Sequence, residues 1–308
     1  VIGNPKSPAN IVLRALTDVD AKARAALRPI LAPHKGQDGE IAARRTAYDA
    51  LMLQTPAAQD IEYAIDSING IPGFWCRPPS KAERIILYLH GGWFVAGSAA
   101  AYRNFVGQIA ARSVAAAFIP DYRLAPEHPF PSAVEDVSAA YRGLIARGHR
   151  DIVLVGDSAG GALALELLAH VARDANERRP AAAVLLSPVA DLSLSGVTWE
   201  SRDAADLLFT KPQIQALVRM YIGDADPTQP FSSLTQDLTG FPPLRIYTGD
   251  DEVLLDDSIR LAQRAADAGV DVRLDVWEGM LHVFPSSFST FEAARMALNE
   301  ISAYIRNV

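Results

Sequence analysis

Short, nearly unbroken apolar runs recur along this chain, and helical patterns separate most of them. The runs are Arg84 to Leu89, Ala115 to Pro120, Asp151 to Val155, Ala181 to Leu186, Leu244 to Thr248 and Val270 to Trp277. A strand with one wet face alternates apolar and polar residues; a strand covered on both faces does not. Helical spacing appears around 100–113, 132–147, 159–173, 254–268 and 288–305. Strand and helix in alternation predict an α/β fold with a mostly parallel central sheet and helices on both faces. Upstream, the runs Ile61 to Ile68 and Ile71 to Cys76 meet at Asn69-Gly70, a pair suited to a tight hairpin turn. The N-terminal stretch reads as helical, with Ile11, Leu13, Leu16 and Leu27 in one set and Ile41, Tyr48, Leu51 and Met52 in another.

One segment breaks the rhythm, a long excursion from about Leu192 to Phe241 between two strands. A structureless loop of that size is uncommon in a compact domain, so an inserted helical cap is expected there. Thr210-Lys211-Pro212-Gln213 reads as a helix start, with a Thr cap, an early Pro and a Gln reaching back. The expected organisation is one domain over 1–308, with a cap built from about 1–55 plus about 192–240. The chain's 308 residues, 49% hydrophobic, suffice for one large core.

Charge and composition narrow the function classes. The net charge is -7 and the basic residues are scattered, so nucleic acid is not an expected partner. No apolar stretch reaches the ~18 residues of a membrane span. Val1 to Asn10 lack the basic-then-apolar pattern of a secretory signal. Cys76 is the sole cysteine, so no intramolecular disulfide can form. Together these point to a cytoplasmic protein.

The chemistry concentrates at Gly156-Asp157-Ser158-Ala159-Gly160-Gly161, directly after the run Ile152 to Val155. Ligands of parallel sheets gather at the carboxyl ends of the strands. A serine on a sharp strand-to-helix turn there projects its hydroxyl out of the sheet, as a nucleophile requires. Such a serine needs a base, an acid to orient the base, and donors for the oxyanion. Among six histidines, His282 follows a strand and comes after Ser158, in the order serine, acid, base. The strand Leu244 to Thr248 delivers Asp250 and Asp251, either of which suits the acid; Asp256 and Asp257 fall inside the next helix and are expected to face solvent or its first turn. Oxyanion donors are expected from the amide of Ala159 and from His90-Gly91-Gly92-Trp93, which follows another strand end.

In combination these motifs resemble the bacterial hormone-sensitive-lipase-like esterases of the α/β-hydrolase fold. His90-Gly91-Gly92 resembles their oxyanion motif, and Gly156 to Gly161 their nucleophile turn. Asp121-Tyr122-Arg123-Leu124-Ala125-Pro126-Glu127 is similar to the segment they carry after the next strand, and Asp251-Glu252-Val253-Leu254 and His282-Val283-Phe284 to their acid and base segments. The resemblance runs from about residue 80 to the C-terminus. It implies a triad of Ser158, Asp251 and His282 and an oxyanion hole at Gly91, Gly92 and Ala159. Trp93 stands where the family usually has a third glycine, which leaves open which two of Gly91, Gly92 and Trp93 donate. Asp157 and Glu127 are expected to hold structure. The implied activity is carboxylic-ester hydrolysis on short to medium acyl esters, with no metal or organic cofactor. A lactone hydrolase or peptidase is the alternative within hydrolases, and a non-catalytic small-molecule binder the alternative outside them. The family also implies a homodimer, formed through the edge strand Val270 to Trp277.

Overall fold

The computed structural model describes residues 9–37, 39–80, 82–174, 176–226 and 233–308. The signal-sequence reading of the first residues lies outside these apart from Ala9 and Asn10. Among the described residues, nine strands form one sheet: β1 (Asn10–Arg14), β2 (Glu62–Ile68), β3 (Ile71–Arg77), β4 (Arg84–Leu89), β5 (Ala116–Pro120), β6 (Asp151–Asp157), β7 (Ala182–Leu186), β8 (Leu244–Gly249) and β9 (Val272–Trp277). Their order across the sheet is β1-β9-β8-β7-β6-β4-β5-β3-β2. The β2–β3 and β3–β5 pairs are antiparallel and all other pairs parallel. The β2–β3 hairpin turns at Asn69 (φ 50°) and Gly70 (φ 84°), the left-handed pair that the Asn-Gly dipeptide predicts.

The helices are α1 (Asp18–Leu31), α2 (Ile41–Met52), α3 (Ala99–Ser113), α4 (Ser132–Ala146), α5 (Ala159–Arg173), α6 (Thr198–Ser201), α7 (Lys211–Ile222), α8 (Leu255–Asp267) and α9 (Glu292–Asn307). Apolar runs on the central strands feed two cores at once. Leu87, Leu89 and Leu154 pack with α4, α5, α7 and α8 on one face, while Ile86, Tyr88, Val153 and Val155 pack with α3 and α9 on the other. Period-2 side-chain alternation makes both faces apolar, which is why no polar register shows in the sequence.

The N-terminus departs from its helical reading. Asn10–Arg14 is a strand, parallel to β9, with Val12 opposite Asp275. Buried Asp275 accepts Arg14 Nε at 3.0 Å, and Glu278 N–H donates to Arg14 O at 2.9 Å. The spacing of Ile11 and Leu13 is a strand period, and these tertiary partners make it one. The edge expected to pair two copies is therefore already occupied: β9 has β8 on one side and β1 on the other. Helix α1 starts where Thr17 Oγ1 accepts Asp20 N–H at 3.1 Å, and the buried Asp20 carboxylate caps α9 in turn, taking Glu292 N–H at 2.7 Å and Ala293 N–H at 3.0 Å. Helix α7 forms as expected, but without the anticipated cap. Thr210 makes no side-chain bond to the helix, and Gln213 Nε2 donates instead to Gln37 O at 3.1 Å.

Candidate active site

Ser158 sits between β6 and α5 at φ 53°, ψ -120°, a conformation that side chains rarely adopt. Neighbouring strands impose it. Ser158 N–H donates to Leu186 O at 2.9 Å, and Ser158 O accepts Gly161 N–H and Val189 N–H, each at 3.0 Å. The turn closes only because Gly160 has no side chain: a Cβ there would lie 1.9 Å from Leu89 O.

His282 is held by one carboxylate. His282 Nδ1 lies 2.5 Å from Glu252 Oε2, and Glu252 is wholly buried. The other oxygen, Oε1, accepts Ser187 Oγ–H at 2.8 Å, Gly249 N–H at 3.0 Å and the Thr248 hydroxyl. Ser187 directly follows Leu186, whose carbonyl holds Ser158, and its Oγ also accepts Val283 N–H at 3.0 Å. A continuous set of hydrogen bonds thus runs from the Ser158 backbone through the end of β7 to Glu252 and the residue after His282.

This overturns the sequence-based choice of Asp251 as the acid facing His282. Asp251 N–H donates to Met280 O at 3.1 Å, and its carboxylate pairs with Arg24 of α1. Asp250 Oδ1 accepts Gly279 N–H at 2.6 Å, with Arg202 3.7 Å from its other oxygen. Only the third of the three consecutive acids meets His282. Asp257 stands in the first turn of α8, as expected, but does not face solvent. It is fully buried, with Oδ2 accepting Ala190 N–H and Asp191 N–H, both at 2.9 Å, and burial pushes its carboxyl up to about 7.

The oxyanion donors need a second correction. Gly91 N–H is already engaged, donating to Asp157 Oδ1 at 3.0 Å with the Tyr102 hydroxyl at 3.2 Å. A donor turned into the protein cannot serve a substrate oxygen. The amides of Gly92, Trp93 and Ala159 have no hydrogen-bond partner among the described residues. Gly92 has φ 114°, and a Cβ there would lie 2.2 Å from Ala96 O, so the loop needs glycine at this position. His90 underpins the loop: its ring stacks on Tyr122 at 4.2 Å, and Tyr122 O–H donates to His90 O at 2.7 Å. Burial pushes His90 down to about 4, so it is neutral.

Over His282 lies the segment inserted between β7 and β8. Phe209 meets the His282 ring edge-on at 4.9 Å and the Trp93 ring at 5.7 Å, and Trp199 lies 6.5 Å from Trp93. Asp206, which the sequence reading missed, fastens this wall. Its Oδ1 accepts Leu208 N–H at 2.7 Å and Phe209 N–H at 3.0 Å, and its Oδ2 accepts Val253 N–H at 2.9 Å, next to Glu252. An Asx-type turn signal at Asp206 was available in the sequence, but nothing there pointed to Val253. The 28–37 stretch touches the same segment, with Arg28 Nη2 donating to Ala204 O at 2.8 Å and Lys35 Nζ 2.9 Å from Asp203 Oδ1.

A family model described as "alpha/beta hydrolase fold" matches residues 86–286. An acetyl-hydrolase of Streptomyces hygroscopicus is 36% identical over 278 residues, covering 88% of this chain and 91% of its own. An esterase of Acinetobacter venetianus is 32% identical, covering 85% and 88%. The crystal structure of an esterase from the bacterial hormone-sensitive lipase family superposes with a TM-score of 0.86 at 35% identity, covering 93% of this chain and 96% of the other. That of EstE5, soaked in ethyl alcohol, gives 0.88 at 37% identity, covering 94% and 98%.

The chain belongs to the bacterial hormone-sensitive-lipase-like esterase family of the alpha/beta hydrolase fold. Its reaction class is carboxylic-ester hydrolysis. Within this esterase, the segment Asp121 to Glu127 ties the loop at Gly91 to α2. Arg45 of α2 pairs with Glu127 at 2.6 Å and donates to Val95 O at 2.7 Å and Ala125 O at 2.9 Å. No helix among the described residues is long and apolar enough to cross a membrane.

Proposed function

We propose that this esterase works through Ser158 as nucleophile, His282 as base and Glu252 as the acid that orients it. The observation that carries the assignment is the buried Glu252–His282 contact of 2.5 Å, connected by hydrogen bonds to the strand end that holds Ser158. Glu252 accepts the Nδ1 proton, which leaves Nε2 free to take the proton of Ser158. The hydroxyl oxygen attacks the ester carbonyl, and its electron pair moves onto the carbonyl oxygen. The amides of Gly92, Trp93 and Ala159 receive that charge. His282 then protonates the leaving alcohol, and water, activated by the same histidine, releases the acid and restores Ser158.

Substrate esters carry short acyl chains in this reading. Support comes from the aromatic wall of Trp93, Trp199 and Phe209 beside His282, which limits length, and from the acetyl-hydrolase relative. Residues of about 1–55 and 192–240 act as the cap, apart from those outside the described residues; the contacts of Arg28, Lys35 and Gln213 support one unit made of both pieces.

The test is a fluorophosphonate probe followed by peptide mapping, run beside hydrolysis of p-nitrophenyl acetate. The label is expected on Ser158, and Ser158→Ala is expected to lose both the label and turnover by at least a thousandfold. A folded Ser158→Ala variant that still turns over at the native rate refutes the mechanism.

A further inference from the structure

The nucleophile Ser158 is preceded by an acid that the mechanism above does not use. Asp157 is 1% exposed and ends β6. Its Oδ1 accepts Tyr88 O–H at 2.8 Å and Gly91 N–H at 3.0 Å, and its Oδ2 accepts Tyr102 O–H at 2.9 Å. The Tyr102 hydroxyl also lies 2.6 Å from that of Tyr48, which belongs to α2. One buried carboxylate therefore joins β4, α3, the glycine loop and, through Tyr102, a helix of the N-terminal piece.

The consequence for the loop is geometric. On its other side, Gly91 O takes the His90 Nδ1–H at 2.8 Å. Gly91 is thus gripped at both its amide and its carbonyl. The peptide joining Gly91 to Gly92 is planar, and in the trans form its N–H points opposite to its C=O. Fixing Gly91 O toward His90 therefore aims Gly92 N–H the other way. Gly91 also sits hard against the nucleophile, since a Cβ on it would lie 3.1 Å from Ser158 Cβ. The carboxylate that seats Gly91 is covalently next to Ser158, so one rigid turn sets both the attacking hydroxyl and the receiving amides.

We propose that Asp157 is a positioning residue of the oxyanion hole, which clamps Gly91 N–H so that the Gly92 and Trp93 amides face the developing oxyanion, with Tyr102 and Tyr48 linking the clamp to α2. The inference rests on the esterase mechanism proposed above. Burial pushes the Asp157 carboxyl up to about 6, so it is ionised, and at its strongest as an acceptor, in neutral solution.

The experiment compares Asp157→Ala and Asp157→Asn with the native enzyme on p-nitrophenyl acetate. It also measures the affinity for phenylboronic acid, which forms a tetrahedral adduct on a catalytic serine. Alanine removes the acceptor, and kcat is expected to fall about a hundredfold with KM within threefold, the loss scale of an oxyanion donor. Phenylboronic acid affinity should fall in step with kcat/KM. Asparagine keeps an oxygen for Gly91 and is expected to recover most of the loss. A folded alanine variant with kcat within threefold of native, or a loss confined to KM, overturns the proposal. Should alanine fail to fold, Tyr102→Phe decides: a three- to tenfold loss in kcat at unchanged KM supports the clamp, and kcat within twofold overturns it. Failure of the native enzyme to hydrolyse the ester would instead reject the mechanism on which the inference stands.

Discussion

Changing Glu252 to Gln and, separately, Asp251 to Asn tells apart the acid that meets His282 and its neighbour, which the family resemblance implies for that role. In the native site Glu252 Oε1 accepts donors from Ser187, Gly249 and Thr248, while Oε2 faces His282. A glutamine keeps its carbonyl oxygen toward the three donors, because its NH2 would meet two hydroxyls and an amide there. The NH2 is then forced toward Nδ1 and donates to it. Nδ1 must accept, the proton moves to Nε2, and the imidazole can no longer take a proton from Ser158. A carboxylate-to-amide change that imposes the wrong tautomer in a serine triad costs about 10⁴ in kcat. That is about 5.4 kcal/mol of transition-state stabilisation. Asp251→Asn leaves the Glu252–His282 contact in place and breaks only the pair with Arg24. Its kcat is expected within ~threefold of native, with ~1 kcal/mol lost from stability. The assay is steady-state hydrolysis of p-nitrophenyl acetate, with Ser158→Ala as the blank and active-site titration to count competent enzyme. If Asp251→Asn is instead the crippled variant, or if Glu252→Gln keeps more than a tenth of the native rate, the reasoning is wrong.

Two further expectations follow from the same geometry. Gly92→Ala puts a Cβ 2.2 Å from Ala96 O at φ 114°, so kcat should drop at least ~30-fold, about 2 kcal/mol, while KM stays within a few-fold; an unimpaired kcat would refute the role of this loop. Asp257, pushed up to about 7 by burial from an ordinary value of 3.8, binds its proton more tightly folded than unfolded. Its contribution to stability is therefore fully present below about pH 4 and is lost as pH rises through 7, a change on the order of 4 kcal/mol. Asn mimics the protonated form, so the unfolding free energy of the native protein minus that of Asp257→Asn should fall between pH 4 and 7 in urea titrations, and a rise would contradict the assignment.

Much of this molecule was legible one residue at a time. The central strands are short apolar runs because both their faces are covered, and the hairpin turn is written in Asn69-Gly70. The serine turn needs glycine at 160 because Leu89 O leaves no room, and that requirement shows in the sequence. The misreadings share a cause. Asn10–Arg14 has too few residues to declare a period, and its partner β9 lies more than 250 positions away. Thr210 looks like a cap, but Gln37 competes for its intended partner Gln213.

The order of serine, acid and base, and the strand ends that carry them, are consequences of local pattern, because strand, turn and helix preferences act over a few residues. Which carboxylate faces His282 is not local. Asp250, Asp251 and Glu252 lie on one loop with no periodicity to rank them. The choice among them falls to Gly279, Arg24 and Ser187, each brought there by another part of the fold. The direction of the Gly91 amide is likewise set by Asp157, delivered by a neighbouring strand. Hydrogen-bond direction depends on partners that only folding supplies, and so the sequence determined the kind of site while the tertiary structure decided which atoms compose it.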